Sequence, residues 1–508
     1  MAVSRPVLGV VFALVAALYL FDLPNAPVYF GGDEAHFAAI GHSIATTGRN
    51  LRGNWFPVFV NLAAPLGAPA QRWGDTYYHP ILFYLDAIVM LVVRPTIAAA
   101  RFPIAIIGGL ISPLLLYVVA RRVIGEQLPA LIAALVLALA PVHVILSRQA
   151  LDYVLPVPFV LGWLWCLDGS LRAPGRSHAA WAGLILGVGC YSYIASWAVM
   201  PMLLAVSWAI WLRAGLGWRL IVVSAIAFAI PVTIAPLWIA FHPEMARDTL
   251  MRYTQPPDEP KTPFLPTFLS LIKPLLWFVR GGPSLTTATA RSGVVLLPVA
   301  ALLAGGAVAL ARKRDWRATV IIAGTLIGLL PAAVKGEAGM IQRSMYVLPF
   351  VGLAAGLGFA WLWQSRIGRQ CAAVLLALSA AQFGFFYVDF LTHYKLRSAF
   401  YYDPVAFRDV ASHLVQSADA PAYYFTTDVD DADVKWRFYT TLEGRTELLA
   451  RTRYVAIDDR PAASPGSVLV TYDDTARVTA LVADGWHVET VVSDVDQRRA
   501  AVILRKLH

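Results

Sequence analysis

Long apolar runs recur through this chain, and the short basic segments between them constrain its fold more than any other feature. Spans of suitable length and hydropathy lie at 6–23, 102–120, 128–146, 153–171, 179–194, 197–212, 220–240, 293–311, 317–334, 345–363 and 371–390. Each is roughly the length needed to cross about 30 Å of hydrocarbon. Because 58% of the 508 residues are hydrophobic and 14% charged, a water-soluble globule would lack the polar surface to cover itself. The expected class is a polytopic α-helical membrane protein of about eleven helices.

Arginine and lysine placement sets the orientation. Arg121-Arg122, Arg172 to Arg176, Arg213 to Arg219, Arg312-Lys313-Arg314 and Arg366 to Arg369 follow spans two, four, six, eight and ten, and Arg5 precedes span one. Short basic junctions belong on the cytoplasmic side, and a single phase satisfies all of them. The N-terminus is then cytoplasmic, with Met1–Pro24 a signal anchor. This parity makes Ile81–Val93 and Phe264–Val279 outer surface helices, the first short and the second interrupted by Pro266 and Pro274.

The net charge of +9 is therefore topological signalling, and no nucleic-acid partner is expected. Cys166, Cys190 and Cys371 lie in apolar stretches without metal-ligand spacing and read as small buried hydrophobes.

The expected organisation is a transmembrane domain, 1–390, carrying outer loops at 25–101 and 241–292, followed by a non-cytoplasmic domain, 391–508. In the latter, Asp403-Pro404 reads as an N-cap and first helical residue of a helix to about Ser417. Strand-like runs follow at Ala422–Thr427, Arg453–Ile457, Ser467–Tyr472, His487–Val492 and Ala500–Leu504, enough for a small α/β domain.

The most informative outer segment is Gly31-Gly32-Asp33-Glu34-Ala35-His36-Phe37. Phe37, Ile40 and Ile44 recur at helical spacing and Gly48 supplies a stop, giving a short amphipathic helix over 34–47. Asp33 sits at its N-terminus, where the helix dipole favours an ionised carboxylate. Such a group suits proton abstraction from an attacking hydroxyl; locally it also reads as a plain helix cap.

The first span, the outer Asp33-Glu34 pair, the juxtamembrane helix and the far-side C-terminal domain resemble the GT-C membrane glycosyltransferases. Among these, protein O-mannosyltransferases and the lipid A aminoarabinose transferase are the nearest in pattern. Tyr78-His79-Pro80-Ile81, Arg101-Phe102-Pro103, Ser147-Arg148-Gln149-Ala150-Leu151-Asp152, Tyr191-Ser192-Tyr193 with Pro201, and Gln342-Arg343-Ser344-Met345-Tyr346-Val347-Leu348-Pro349 match family-like stretches, all near the outer face. His79 stands where relatives often carry lysine.

The resemblance implies an inverting transferase that moves a sugar from a polyprenyl-phosphate donor to an acceptor hydroxyl on a glycan, lipid or protein. The setting would be the non-cytoplasmic face of a bacterial inner membrane, among membrane lipids. Asp33 would be the base, with Glu34 orienting it or the acceptor and Asp152 positioning the acceptor sugar or sharing the proton. Arg343, Arg101, Arg148 and His79 are candidate ligands of the donor phosphate; Tyr78, Tyr191, Tyr193 and Tyr346 are candidate pocket residues. Interfacial anchoring accounts equally for arginines at span ends, helix capping for Asp152, pairing with Asp152 for Arg148, and aromatic belts for the tyrosines. No cofactor is implied; His36 and His42 lack metal-site spacing, and divalent metal stays open. Two other readings remain: an O-antigen ligase or polymerase using His242, Arg247, Arg252 and Lys261, and a secondary transporter.

Overall fold

The computed structural model describes residues 3–61, 77–254 and 262–507, apart from positions 314, 337, 418, 458 and 460. Two compact units emerge. One comprises Met1–Phe21, Ile104–Ala246 and Thr254–Phe390; the other comprises Asp22–Pro103, Arg247–Tyr253 and Leu391–His508.

The first unit is helical. Among the described residues, seven helices are long and apolar enough to cross a membrane: Ile97–Ile124, Asp152–Arg172, Ser196–Arg213, Trp218–Phe241, Trp316–Lys335, Ile341–Leu362 and Arg366–Leu391. Shorter apolar helices at Arg5–Leu20, Gln127–Ala138 and Val299–Arg312 coincide with expected spans. The expected span 128–146 is broken where Gln127–Ala138 gives way to Pro141–Leu146, because Pro141 cannot continue the ladder.

Lipid supplies no hydrophobic drive between such helices, so close packing must hold them. Glycines four apart supply it. A Cβ on Gly183 or Gly187 would collide with the backbone of Ser224 or Phe228, and one on Gly352 or Gly356 with that of Ala133 or Pro129. Arg366–Leu391 is the most open span, only 17% buried, so Cys371 is exposed on it rather than buried as expected. Cys166 and Cys190 are buried.

In the second unit, the helix Gly32–Thr47 runs two residues further N-terminally than expected and stops at Gly48, whose φ of 70° lies in the left-handed region. The expected surface helices appear as Pro80–Met90 and, in the first unit, Phe264–Leu271 followed by a π turn at Leu276–Arg280. All five expected strands form one sheet, in the spatial order Thr452–Val455, Tyr423–Thr426, Val468–Tyr472, Arg499–Lys506, Trp486–Ser493. The first three are parallel and the last two antiparallel. One face closes over Leu469, Leu481, Trp486, Val502 and Leu504.

Two expectations need correction here. Asp403 ends a helix His393–Tyr402 that the sequence reading lacks; its Oδ2 accepts from the Phe407 amide at 2.6 Å, so the next helix is Phe407–Gln416 and starts later than expected. Residues 22–103 belong with the C-terminal segment rather than with the spans. The reason is packing: Gly32–Thr47 lies against Ala432–Leu442.

Candidate active site

The second unit holds the acidic pair. Asp33 is exposed in the first turn of Gly32–Thr47, where free amide groups and the helix dipole favour its carboxylate form. Glu34 is different. It is 2% exposed, its Oε2 accepts from the Gly31 amide at 3.0 Å, and its two oxygens take a fork from Arg101 at 2.8 and 3.0 Å. The sequence reading gave Glu34 an orienting role toward base or acceptor; its oxygens instead cap the helix and hold a buried ion pair.

Arg101, expected as a ligand of the donor phosphate, is the partner in that pair. Its exposure is 0%, and Nη1 and Nη2 also reach the carbonyls of Leu23, Pro27 and Tyr29 at 3.1, 2.8 and 2.7 Å. Every N–H of the guanidinium is committed. It is a strut that fixes the chain entering the acidic helix.

His79 is 4% exposed with its ring edge-on to Phe59 at 5.4 Å. Burial pushes it down to about 3, so it stays neutral at physiological pH and supplies no positive charge to a phosphate. Tyr78 packs edge-to-face on Phe37 at 5.3 Å. Asp86 is fully buried, and neither carboxylate oxygen has a hydrogen-bond partner among the described residues. Burial, with Glu34 nearby, drives it well above the usual carboxylate range.

His36 was only a weak metal candidate in the sequence. Its Nε2 lies 3.3 Å from Asp431 Oδ1, and its exposure is 4%. Burial opposes its charge, yet the hydrogen bond and charge of Asp431, with Asp433 and Asp33, hold it above the ordinary imidazole value. A second buried pair the sequence did not reveal joins Lys435 Nζ to Asp403 Oδ1 at 3.0 Å. The run Asp430-Asp431-Ala432-Asp433 does carry a helix-start signal. Nothing local in it names a partner almost 400 residues away.

The first unit holds the other candidates. Arg148 is 0% exposed; Nη1 donates to the carbonyls of Leu18 and Tyr19 at 2.9 and 2.8 Å, and Nη2 to Phe21 at 2.7 Å. Those are orphan carbonyls at the end of Arg5–Leu20, so Arg148 caps the first helix. The guanidinium expected at the donor phosphate is thus bonded to backbone carbonyls.

Asp152 opens a 3-10 turn, Asp152–Val154, and is 4% exposed. This turn packs against the 3-10 segment Ile341–Val347, which carries Arg343 and Tyr346. Arg343 is half-buried and donates from Nη1 to the Tyr193 hydroxyl at 2.8 Å. Tyr193 in turn meets Tyr153 edge-on at 5.5 Å. Arg343 and Tyr193 are thus hydrogen-bonded, and the turn that carries Asp152 packs against the segment that carries Arg343.

Tyr346 pairs with the Ser196 hydroxyl at 2.8 Å, and the Tyr191 hydroxyl donates to the Pro231 carbonyl at 2.8 Å. Both are buried and tie helices together. Of the cationic loop residues, His242 stacks on Trp238 at 3.9 Å and Arg247 pairs with Asp248 at 3.1 Å. Lys261 lies outside the described residues, as does the side chain of Arg252.

No family model matches the chain. Over 251 residues it is 30% identical to the undecaprenyl phosphate-alpha-4-amino-4-deoxy-L-arabinose arabinosyl transferase 2 of Pseudomonas fluorescens (strain Pf0-1), covering 47% of this chain. The match spans only 41% of that relative's length. Among solved structures, ArnT from Cupriavidus metallidurans bound to undecaprenyl phosphate superposes with a TM-score of 0.64 at 15% identity, covering 98% of both chains. The apo oligosaccharyltransferase of Archaeoglobus fulgidus gives 0.52 at 14% identity, covering 91% of this chain and 69% of that one. The chain thus shares the fold of these GT-C glycosyltransferase structures.

Proposed function

We propose that this protein is an inverting glycosyltransferase that moves a sugar from a polyprenyl-phosphate donor to an acceptor hydroxyl on the non-cytoplasmic face of the membrane. The observation that carries this reading is the contrast within the acidic pair: Glu34 is buried and fully bonded, whereas Asp33 is exposed in the first helical turn. Glu34 and Arg101 fix the backbone, and Asp33 takes the proton from the attacking hydroxyl.

Chemistry of this class also needs a cation where charge grows on the leaving phosphate. Arg343 has that role, oriented by Tyr193; Asp152 sets the charge around them and positions the acceptor or the donor sugar. Eleven crossings, a cytoplasmic N-terminus and an outer C-terminal domain follow from the basic junctions. The whole-length likeness to a structure bound to undecaprenyl phosphate supports the donor class.

The test reconstitutes the protein in lipid vesicles with radiolabelled undecaprenyl-phosphate sugars, including 4-amino-4-deoxy-arabinose, mannose and galacturonic acid, and bacterial membranes as acceptor. Asp33→Asn is expected to abolish transfer while the folded variant still binds undecaprenyl phosphate. Unchanged transfer would move the base to Asp152.

A further inference from the structure

His36 lies one helical turn beyond Asp33 on Gly32–Thr47, at a spacing that puts the two side chains on neighbouring positions. Titratable groups lie on its own helix and on the two helices packed against it. Its own helix contributes Asp33, half-buried His42, and Glu34, which Arg101 already neutralises. Pro80–Met90 contributes Asp86, which burial drives well above the usual carboxylate range. The start of Ala432–Leu442 contributes Asp431, Asp433 and Lys435.

Asp431 is built into this position. It precedes its helix at φ 55°, a left-handed conformation that aspartate tolerates better than most residues. Its carboxylate also presses so closely on Gly32 that any Cβ there would collide with Oδ2. Glycine at position 32 thus leaves room for a carboxylate from the C-terminal α/β segment beside the first turn of the acidic helix. Lys435 and His36 both favour the ionised form of Asp431, outweighing its burial.

We propose that Asp431 is a positioning residue: by its contact with His36 it holds a cation beside Asp33, so that the C-terminal α/β segment sets the ionisation of the carboxylate assigned as the base. This rests on the reading of Asp33 given above. On this proposal the imidazolium, one helical turn from Asp33, favours carboxylate over carboxylic acid there. Without Asp431, the buried imidazole loses its proton and Asp33 faces a neutral ring. The C-terminal segment then has a catalytic consequence without touching substrate.

The experiment follows the His36 ring directly. Full-length protein labelled in its histidine imidazoles is titrated by NMR in detergent micelles, with His36 assigned from His36→Gln. In the wild type the midpoint lies above the ordinary imidazole value of about 6.5. Asp431→Asn lowers it by about one pH unit or more, Gly32→Ala lowers it by displacing the carboxylate, and Asp33→Asn lowers it by less. Asp431→Glu keeps the charge and retains the high midpoint, separating the electrostatic effect from a folding defect. Asp33 is exposed, so Asp33→Asn yields folded protein even where Asp431→Asn does not. An unmoved midpoint in folded Asp431→Asn or in Asp33→Asn overturns the proposal.

The titration reads no transfer. Its failure breaks the His36 link alone, whereas normal transfer by Asp33→Asn breaks the assignment of the base. In the transfer assay, Asp431→Asn moves the acid limb of the pH profile upward and Asp431→Glu restores it; an acid limb indifferent to both also overturns the proposal.

Discussion

Replacing Arg101 by methionine separates a structural strut from a phosphate ligand. The wild-type guanidinium is 0% exposed and uses all its donors: two oxygens of Glu34 and the carbonyls of Leu23, Pro27 and Tyr29. Arg101→Met leaves the buried Glu34 charge without its partner, which costs about 3–5 kcal/mol. The three carbonyls add to this wherever water cannot reach them, at about 1–3 kcal/mol each. The ion-pair part alone is a large share of a typical stability of about 5–15 kcal/mol. At about 2–4 °C per kcal/mol for a unit of this size, the melting temperature falls by at least roughly 6 °C. Tryptophan fluorescence in detergent, with size-exclusion after heating, reads the loss. A double variant, Glu34→Gln with Arg101→Met, is expected to recover part of it, since no bare charge remains. If Arg101→Met melts as the wild type does but no longer binds undecaprenyl phosphate, the guanidinium is a phosphate ligand and the strut assignment is wrong.

Four further outcomes are expected. The His36 proton is held above the ordinary imidazole value, so its contribution to stability is full below that value and lost as pH rises through the folded one; thermal melts across pH should show an alkaline decline that is absent in Asp431→Asn. Tyr193→Phe removes the hydroxyl that orients Arg343 and should raise the Kd for undecaprenyl phosphate about 3- to 10-fold without a change in fold, measured by calorimetry. Gly356→Val forces a side chain onto the Pro129 backbone and should cost about 1–3 kcal/mol, read as a lower melting temperature. In a cysteine-free background on intact spheroplasts, a membrane-impermeant thiol reagent should label Asp33→Cys and Ala450→Cys but not Arg121→Cys; labelling of Arg121→Cys would reverse the orientation.

Much of this molecule was decided by the order of its residues. Apolar length marked the long helices, because in a bilayer each span must satisfy its own backbone without help from distant residues. The five strands and the helix bearing Asp33 were legible for the same reason: period, caps and stops are local. What each polar side chain touches was not local. Arg101 and Arg148 carry every sequence mark of a phosphate ligand near the outer surface, and only folding shows that one is spent on Glu34 and three carbonyls and the other on the end of the first helix. His36 became a paired cation because Asp431 arrives from the far end of the chain. A buried charge must find a partner wherever the fold brings one, and that choice belongs to the tertiary structure.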